Sequence, residues 1–102
     1  MRIARRSAAA ERDLQDIAFH VAFRERRPEA ADHIIDELIA QSERLARLSA
    51  TTVMGTAASE IGEGVRLFPF KRWVILFRSE PDGIDVLRIA DGSQDYLSWR
   101  LS

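Results

Sequence analysis

The sequence predicts an α+β domain. An N-terminal strand leads into an antiparallel helical hairpin packed on a mostly antiparallel three- to four-stranded sheet, and a short turn or helix closes the chain. Three observations carry this prediction. Apolar residues recur at helical spacing as far as Leu48, the period changes to two from Val65, and Glu80-Pro81-Asp82-Gly83 reads as a tight turn between two strands.

The elements follow in order. Arg2 to Arg6 form a short first strand that ends at Ser7, whose hydroxyl suits an N-cap. Leu14, Ile17 and Val21 then make one helical stripe beside Ala10 and Ala18, and Phe19 and Phe23 make a second, four residues apart. One stripe is expected to face the sheet, the other a second helix or a partner. Pro28 opens the next helix, with Glu29 and Asp32 near its positive end and Ala31, Ile34, Ile35, Leu38, Ile39, Leu45 and Leu48 as its apolar face. The short break at Arg26-Arg27-Pro28 folds the two helices back to back. SATTVMGTAASEIGEG, residues 49–64, reads as a connecting loop, and its length marks it as functional or mobile. Strands are expected at about 65–69, 72–79 and 84–90, with DGSQDYLSWRLS forming the closing turn and helix.

Composition limits what such a domain can do. The 102 residues make one domain, 1–102. Hydrophobic residues are 46% and charged residues 30%, ordinary for a globular protein, and the net charge of −1 supplies no general field for nucleic acid. The absence of cysteine excludes disulfides, thiolate metal sites and a cysteine nucleophile. MRIARRSAAAERDL lacks the apolar centre of a signal peptide, and nowhere do about 18 apolar residues run together, so a cytoplasmic location without membrane contact is expected.

The central strand poses a packing problem. In Trp73-Val74-Ile75-Leu76-Phe77, Trp73, Ile75 and Phe77 point one way and Val74 and Leu76 the other, so both faces are apolar. The helices can cover one. The second cover is the tail with Tyr96, Leu97 and Trp99, a partner protein, or both.

At this point the chain resembles a known family. ERDLQDI in the first helix, Gly64-Val65-Arg66 followed by an aromatic-led apolar strand, and Arg88-Ile89 followed by Gly92 and Asp95 are similar, in that order, to the RelE/ParE superfamily of toxins from toxin–antitoxin modules. The resemblance covers nearly the whole chain. It implies a small toxin, of the kind associated with plasmid stabilisation, held inactive by a cognate antitoxin in a higher-order complex. RelE-like members cleave ribosome-bound mRNA. ParE-like members lack that chemistry and are associated with inhibition of DNA gyrase.

Metal-free RNA cleavage needs a base for the 2′-hydroxyl, a cation at the phosphate and an acid for the leaving oxygen. The chain departs from the nuclease pattern where this chemistry would sit. Val74 follows Trp73 where a basic residue is often found, Gln94 replaces the arginine of a Gly-x-Arg-Asp turn, and Asp91 precedes Gly92 where histidine is frequent. A nuclease would have to be built from Arg66, Arg78, Arg88 and Tyr96. Each also has a structural reading. Arg66 can bond loop carbonyls of residues 49–63 or pair with Glu60 or Glu63, Arg78 and Arg88 can reach to water, and Tyr96 can pack beside Leu97 and Trp99. His20 and His33 lie on the helices, far in sequence from the sheet arginines, and read as helix-surface or interhelix residues; Glu11, Asp13 and Asp16 read as a solvated helix face rather than a metal site. No cofactor or metal is expected.

The resemblance therefore implies a ParE-like toxin that acts by binding DNA gyrase, without direct nucleic-acid contact, and is neutralised by a ParD-like antitoxin. Phe19, Phe23, Val74, Leu76, Tyr96 and Trp99 are expected to form one apolar antitoxin-binding surface. The alternatives are a ribosome-dependent mRNA endonuclease and a non-toxic, partner-binding remnant of the fold.

Overall fold

The computed structural model describes residues 2–101. The chain runs β1 (Ile3–Arg6), α1 (Ala8–Phe19), a π-helical turn (His20–Arg24), α2 (Pro28–Leu48), β2 (Thr56–Ala57), β3 (Val65–Phe70), β4 (Trp73–Glu80), β5 (Gly83–Asp91) and a 3₁₀ turn (Tyr96–Ser98). The strands form one sheet in the order β1-β5-β4-β3-β2. β1 runs parallel to β5, and the other neighbours are antiparallel.

The expected α+β layout holds, with one correction. The sheet has five strands rather than three or four, because Thr56-Ala57 pairs with Leu67 and Arg66 of β3. Two residues are too few for an alternating pattern to register, so this strand was invisible inside the expected loop.

Local chemistry explains the boundaries. The Ser7 hydroxyl accepts from the Ala10 amide at 3.0 Å, capping α1, and donates to the Leu87 carbonyl at 2.7 Å, fixing the helix start to β5. Pro28 begins α2, where its missing N–H is no loss. Gly83 follows the β4–β5 turn at φ +152°, and a Cβ there would meet the Ile3 carbonyl oxygen at 1.8 Å. Glycine is therefore required twice, by the backbone angle and by the approach of β1.

Two cores lie on opposite faces of the sheet. The larger packs Leu14, Val21, Leu38 and Leu45 of the helical layer against Ile75, Phe77, Ile84 and Val86. Fully burying each such side chain contributes about 1.5–3 kcal/mol. The smaller contains Ala58, Ile61, Val65, Val74, Leu76 and Ala90, with Leu67, Tyr96, Trp99 and Leu101 packed against it. The segment after β2 and the tail together cover the second face, and the Leu101 amide donates to the Ile61 carbonyl at 2.7 Å.

This corrects the expectation that Val74 and Leu76 lie on an open surface. They are 5% and 0% exposed, beneath the chain's own lid. Phe19 and Phe23 sit elsewhere, on the outer helical layer. The sheet lies between the two sets, so no single partner surface contains both.

Candidate protein-binding site

The α1 stripe ends in a stacked aromatic pair. Phe19 is 58% and Phe23 70% exposed, with ring centroids 4.9 Å apart. The π-helical turn explains the geometry: the chain winds wider here, and Val21 stays buried while Phe23 is carried outward. Arg26 then takes φ 55° and the chain reverses into α2. On the same helical layer, a groove of about 520 Å³ separates α1 from α2, with Leu14, Ala18, Ile35 and Ile39 as its apolar part and Glu11, Asp32 and Asp36 as its acidic part. Two adjacent exposed phenylalanines beside such a groove suit a helical ligand with apolar anchors.

The arginines of the expected nuclease arrangement occupy different places. Arg66 shares the helix-side face with Phe77, and its guanidinium donates to the carbonyls of Met54 and Gly55 at 2.7 Å each. Arg78 lies on the opposite face, paired with Val65, and donates to the Glu63 carbonyl at 2.8 Å. Arg88 forms a two-pronged bond to Asp13 at 2.8 and 3.0 Å and stacks 4.1 Å from the Trp99 ring. The Asp13 carboxylate holds the Arg88 guanidinium above the ordinary arginine range. Tyr96 is half-buried at the start of the 3₁₀ turn, against the smaller core.

Asp13 is the residue whose expected setting was wrong. It is not on a solvated face. β1 stops at Arg6, so beyond Val86 β5 has no strand neighbour on its β1 side, and α1 passes along that open edge. Asp13 accepts the free Ile89 amide at 2.8 Å as well as the Arg88 fork. The pairing spans 75 residues of sequence, and no local pattern announces it.

A cleft of about 410 Å³ next to this pair is lined by Asp13, Asp16, His20, Arg72, Trp73, Arg88, Asp91 and Gln94, among others. Its charges are largely matched. Arg72 reaches Glu25 at 2.8 Å and Asp91 at 3.5 Å, and His20 lies 3.1 Å from Glu25. The hydrogen bond from Arg72 holds the Glu25 carboxyl below its usual range. Asp91 is also held low, chiefly by the Ser93 amide. Gln94, at the position where a nuclease arginine was considered, accepts the Asp91 amide at 2.8 Å and closes the turn.

Among the described residues, no three His, Asp or Glu side chains are placed to hold a metal ion, and no helix is long and apolar enough to cross a membrane. His33 pairs with Glu37 on the α2 surface, whereas His20, though far in sequence from Arg72 and Arg88, lines the same cleft with them.

A solved structure described as "Chromosomal ParDE TA system from P. aeruginosa" superimposes with a TM-score of 0.73 at 24% identity, covering 89% of this chain and 96% of that one, which establishes a shared fold. No curated protein sequence matches. The family profile described as "ParE toxin of type II toxin-antitoxin system, parDE" matches residues 4–96, from β1 through the start of the 3₁₀ turn. With nearly the whole chain inside that match, the protein belongs to the ParE toxins of type II toxin–antitoxin systems.

Proposed function

We propose that the chain acts in the cytoplasm by binding and inhibiting DNA gyrase, not by catalysis, and that a ParD-like antitoxin neutralises it. Family membership is the support for the gyrase target. The observation that carries the non-catalytic reading is how the candidate cations are used. Arg66 and Arg78 lie on opposite faces of the sheet, each bonded to loop carbonyls, and Arg88 is bonded to Asp13 under Trp99. A scissile phosphate needs its cation and proton donors converging on one point. Here the cations hold loops and a helix in place.

The antitoxin contact is proposed at Phe19 and Phe23 with the neighbouring α1–α2 groove. Its acidic residues favour a partner helix that carries basic side chains around its apolar anchors. Tyr96 and Trp99 form a secondary contact in this reading, and only a segment that lifts the tail reaches Val74 and Leu76.

The test pairs a gyrase supercoiling and cleavage-complex assay with in vitro translation, using the purified chain in both. Inhibited supercoiling with unaffected translation is expected. Blocked translation with supercoiling untouched refutes the proposal. For the antitoxin, Phe19→Ala/Phe23→Ala is expected to weaken binding while leaving thermal stability unchanged, since both rings are mainly in solvent.

A further inference from the structure

The two-residue turn between β3 and β4 grips both helices. Lys71 takes φ 55° there, an angle uncommon for any residue but glycine. From this turn two adjacent side chains reach different elements. The Lys71 ammonium donates to both carboxylate oxygens of Glu37 on α2, at 3.0 and 2.8 Å. The Arg72 guanidinium meets Glu25, at the end of the π-helical turn, at 2.8 Å.

Arg72 is itself firmly seated. Its guanidinium lies 5.0 Å from the centre of the Trp73 ring and 3.5 Å from Asp91, and its carbonyl accepts the Gly92 amide at 2.7 Å. Glu25 is the polar hub of the chain reversal. The oxygen that meets Arg72 also lies 3.1 Å from His20, and the other lies 3.7 Å from Arg27. The backbone around this hub is unusual twice over. The Glu25 amide donates to the His20 carbonyl in the wide π pattern, and Arg26 takes a positive φ. Such conformations persist where the surroundings hold them. Among the described residues, Arg72–Glu25 is the one ion pair that ties residues 19–27 to the sheet.

Phe19 and Phe23 ride on the same turn. We infer that Arg72 and Glu25 are positioning residues for partner recognition: by pinning the π-helical turn to the sheet, they hold the Phe19–Phe23 stack ready beside the α1–α2 groove, while Lys71–Glu37 steadies the α2 side. This rests on the reading of that surface as the partner-binding site. The physical gain is preorganisation, since apparent affinity falls with the fraction of molecules in the competent form.

The experiment uses the full chain and reads two things. Ring resonances of Phe19 and Phe23 in the free protein report the stack by NMR. A blocked peptide of about 15 residues, with leucine at every third or fourth position and lysine between, serves as the basic amphipathic helix. Arg72→Met is expected to move both rings toward the shifts of unstructured phenylalanine. It is also expected to weaken peptide binding about fivefold, as when one partly exposed ion pair no longer holds the competent form. The sign is informative, because removing a cation by itself strengthens attraction for a basic peptide. Arg72→Lys keeps the charge of a single-pronged contact and is expected to leave both readouts near those of the unaltered chain. In a Phe19→Ala/Phe23→Ala background, Arg72→Met is expected to add no further loss. Should Arg72→Met fail to fold, Glu25→Gln, at the other end of the pair, carries the ring-shift test.

Unmoved rings in Arg72→Met overturn the inference. So does unchanged or tighter peptide binding, or a loss that persists in full without the phenylalanines. If Phe19→Ala/Phe23→Ala binds the peptide as tightly as the unaltered chain, the groove reading falls, and the ring shifts still decide whether Arg72 and Glu25 hold the pair. If it loses the peptide while Arg72→Met leaves the rings unmoved, the groove stands and the positioning role falls.

Discussion

Replacing Asp13 with alanine tests the main long-range polar contact of the fold. The substitution removes three hydrogen bonds: two from the Arg88 guanidinium and one from the Ile89 amide. A buried amide left without a partner costs about 1–3 kcal/mol. Breaking a fully buried ion pair costs about 3–5 kcal/mol. The side chains here are 28% and 12% exposed, so water and the Trp99 ring partly compensate Arg88, and its share falls to about 1–2 kcal/mol. The sum is about 3 kcal/mol. In urea, with a slope of about 1.5 kcal/mol/M for a chain this size, the midpoint falls by about 2 M. Asp13→Asn keeps an acceptor for Ile89 but turns an amide donor toward Arg88, so an intermediate loss of about 2 kcal/mol is expected. A cycle with Arg88→Met is expected to give a coupling of about 1–2 kcal/mol. A loss below about 1 kcal/mol for Asp13→Ala, or no coupling, would mean that Asp13 is an ordinary surface acid and the closure of the β5 edge is wrong.

Three further outcomes follow from the same structure. Gly83→Ala drives a Cβ into the Ile3 carbonyl, and a loss of about 3 kcal/mol, or a melting-temperature drop of more than about 12 °C, is expected; calorimetry showing a drop under about 4 °C refutes the close approach of β1. Val74→Lys places an ammonium under the lid, at a cost of about 3 kcal/mol or more by urea denaturation, and is expected to create no mRNA cleavage in a translation extract. Hydrogen bonds from Arg72 and Lys71 hold the Glu25 and Glu37 carboxyls below their unfolded values, so their contribution is present above the unfolded carboxylate range and is lost as pH falls through the lower folded values. Melting temperature is therefore expected to fall on acidification, and less steeply in Glu25→Gln; an identical slope in the variant contradicts the Arg72 pairing.

Legibility in the sequence followed the range of the interactions. The Ser7 cap, the Pro28 start, the Gly83 turn and the β3–β5 strands were all readable, because each depends on residues close in sequence. Of the two readings of Arg66, loop carbonyls or a pairing with Glu60 or Glu63, the structure has the first, again over a short separation. β2 was missed for lack of length. Asp13 was misread because its partners lie on β5, which local spacing does not reveal. Alternation showed that the sheet is apolar on both faces, but not which cover wins. Val74 and Leu76 were assigned to a partner, whereas Ile61, Trp99 and Leu101 reach them first. The exposed Phe19–Phe23 pair was visible as a stripe, while its stacking depends on a π-helical turn that no spacing rule anticipates.

The parallel pairing of β1 with β5 has a consequence for how the molecule comes into being. Ile3 meets Gly83, and the sheet-facing sides of α1 and α2 have no sheet to pack against until β4 and β5 exist. During synthesis the N-terminal half waits as a bare helical hairpin, and only the arrival of nearly the last fifth of the chain lets the first strand dock. Contacts so distant in sequence slow folding and leave apolar surface exposed meanwhile. An interrupted or truncated product thus lacks the finished fold, and the interval before β1 docks gives any chaperone or protease access to a chain that is not yet a toxin.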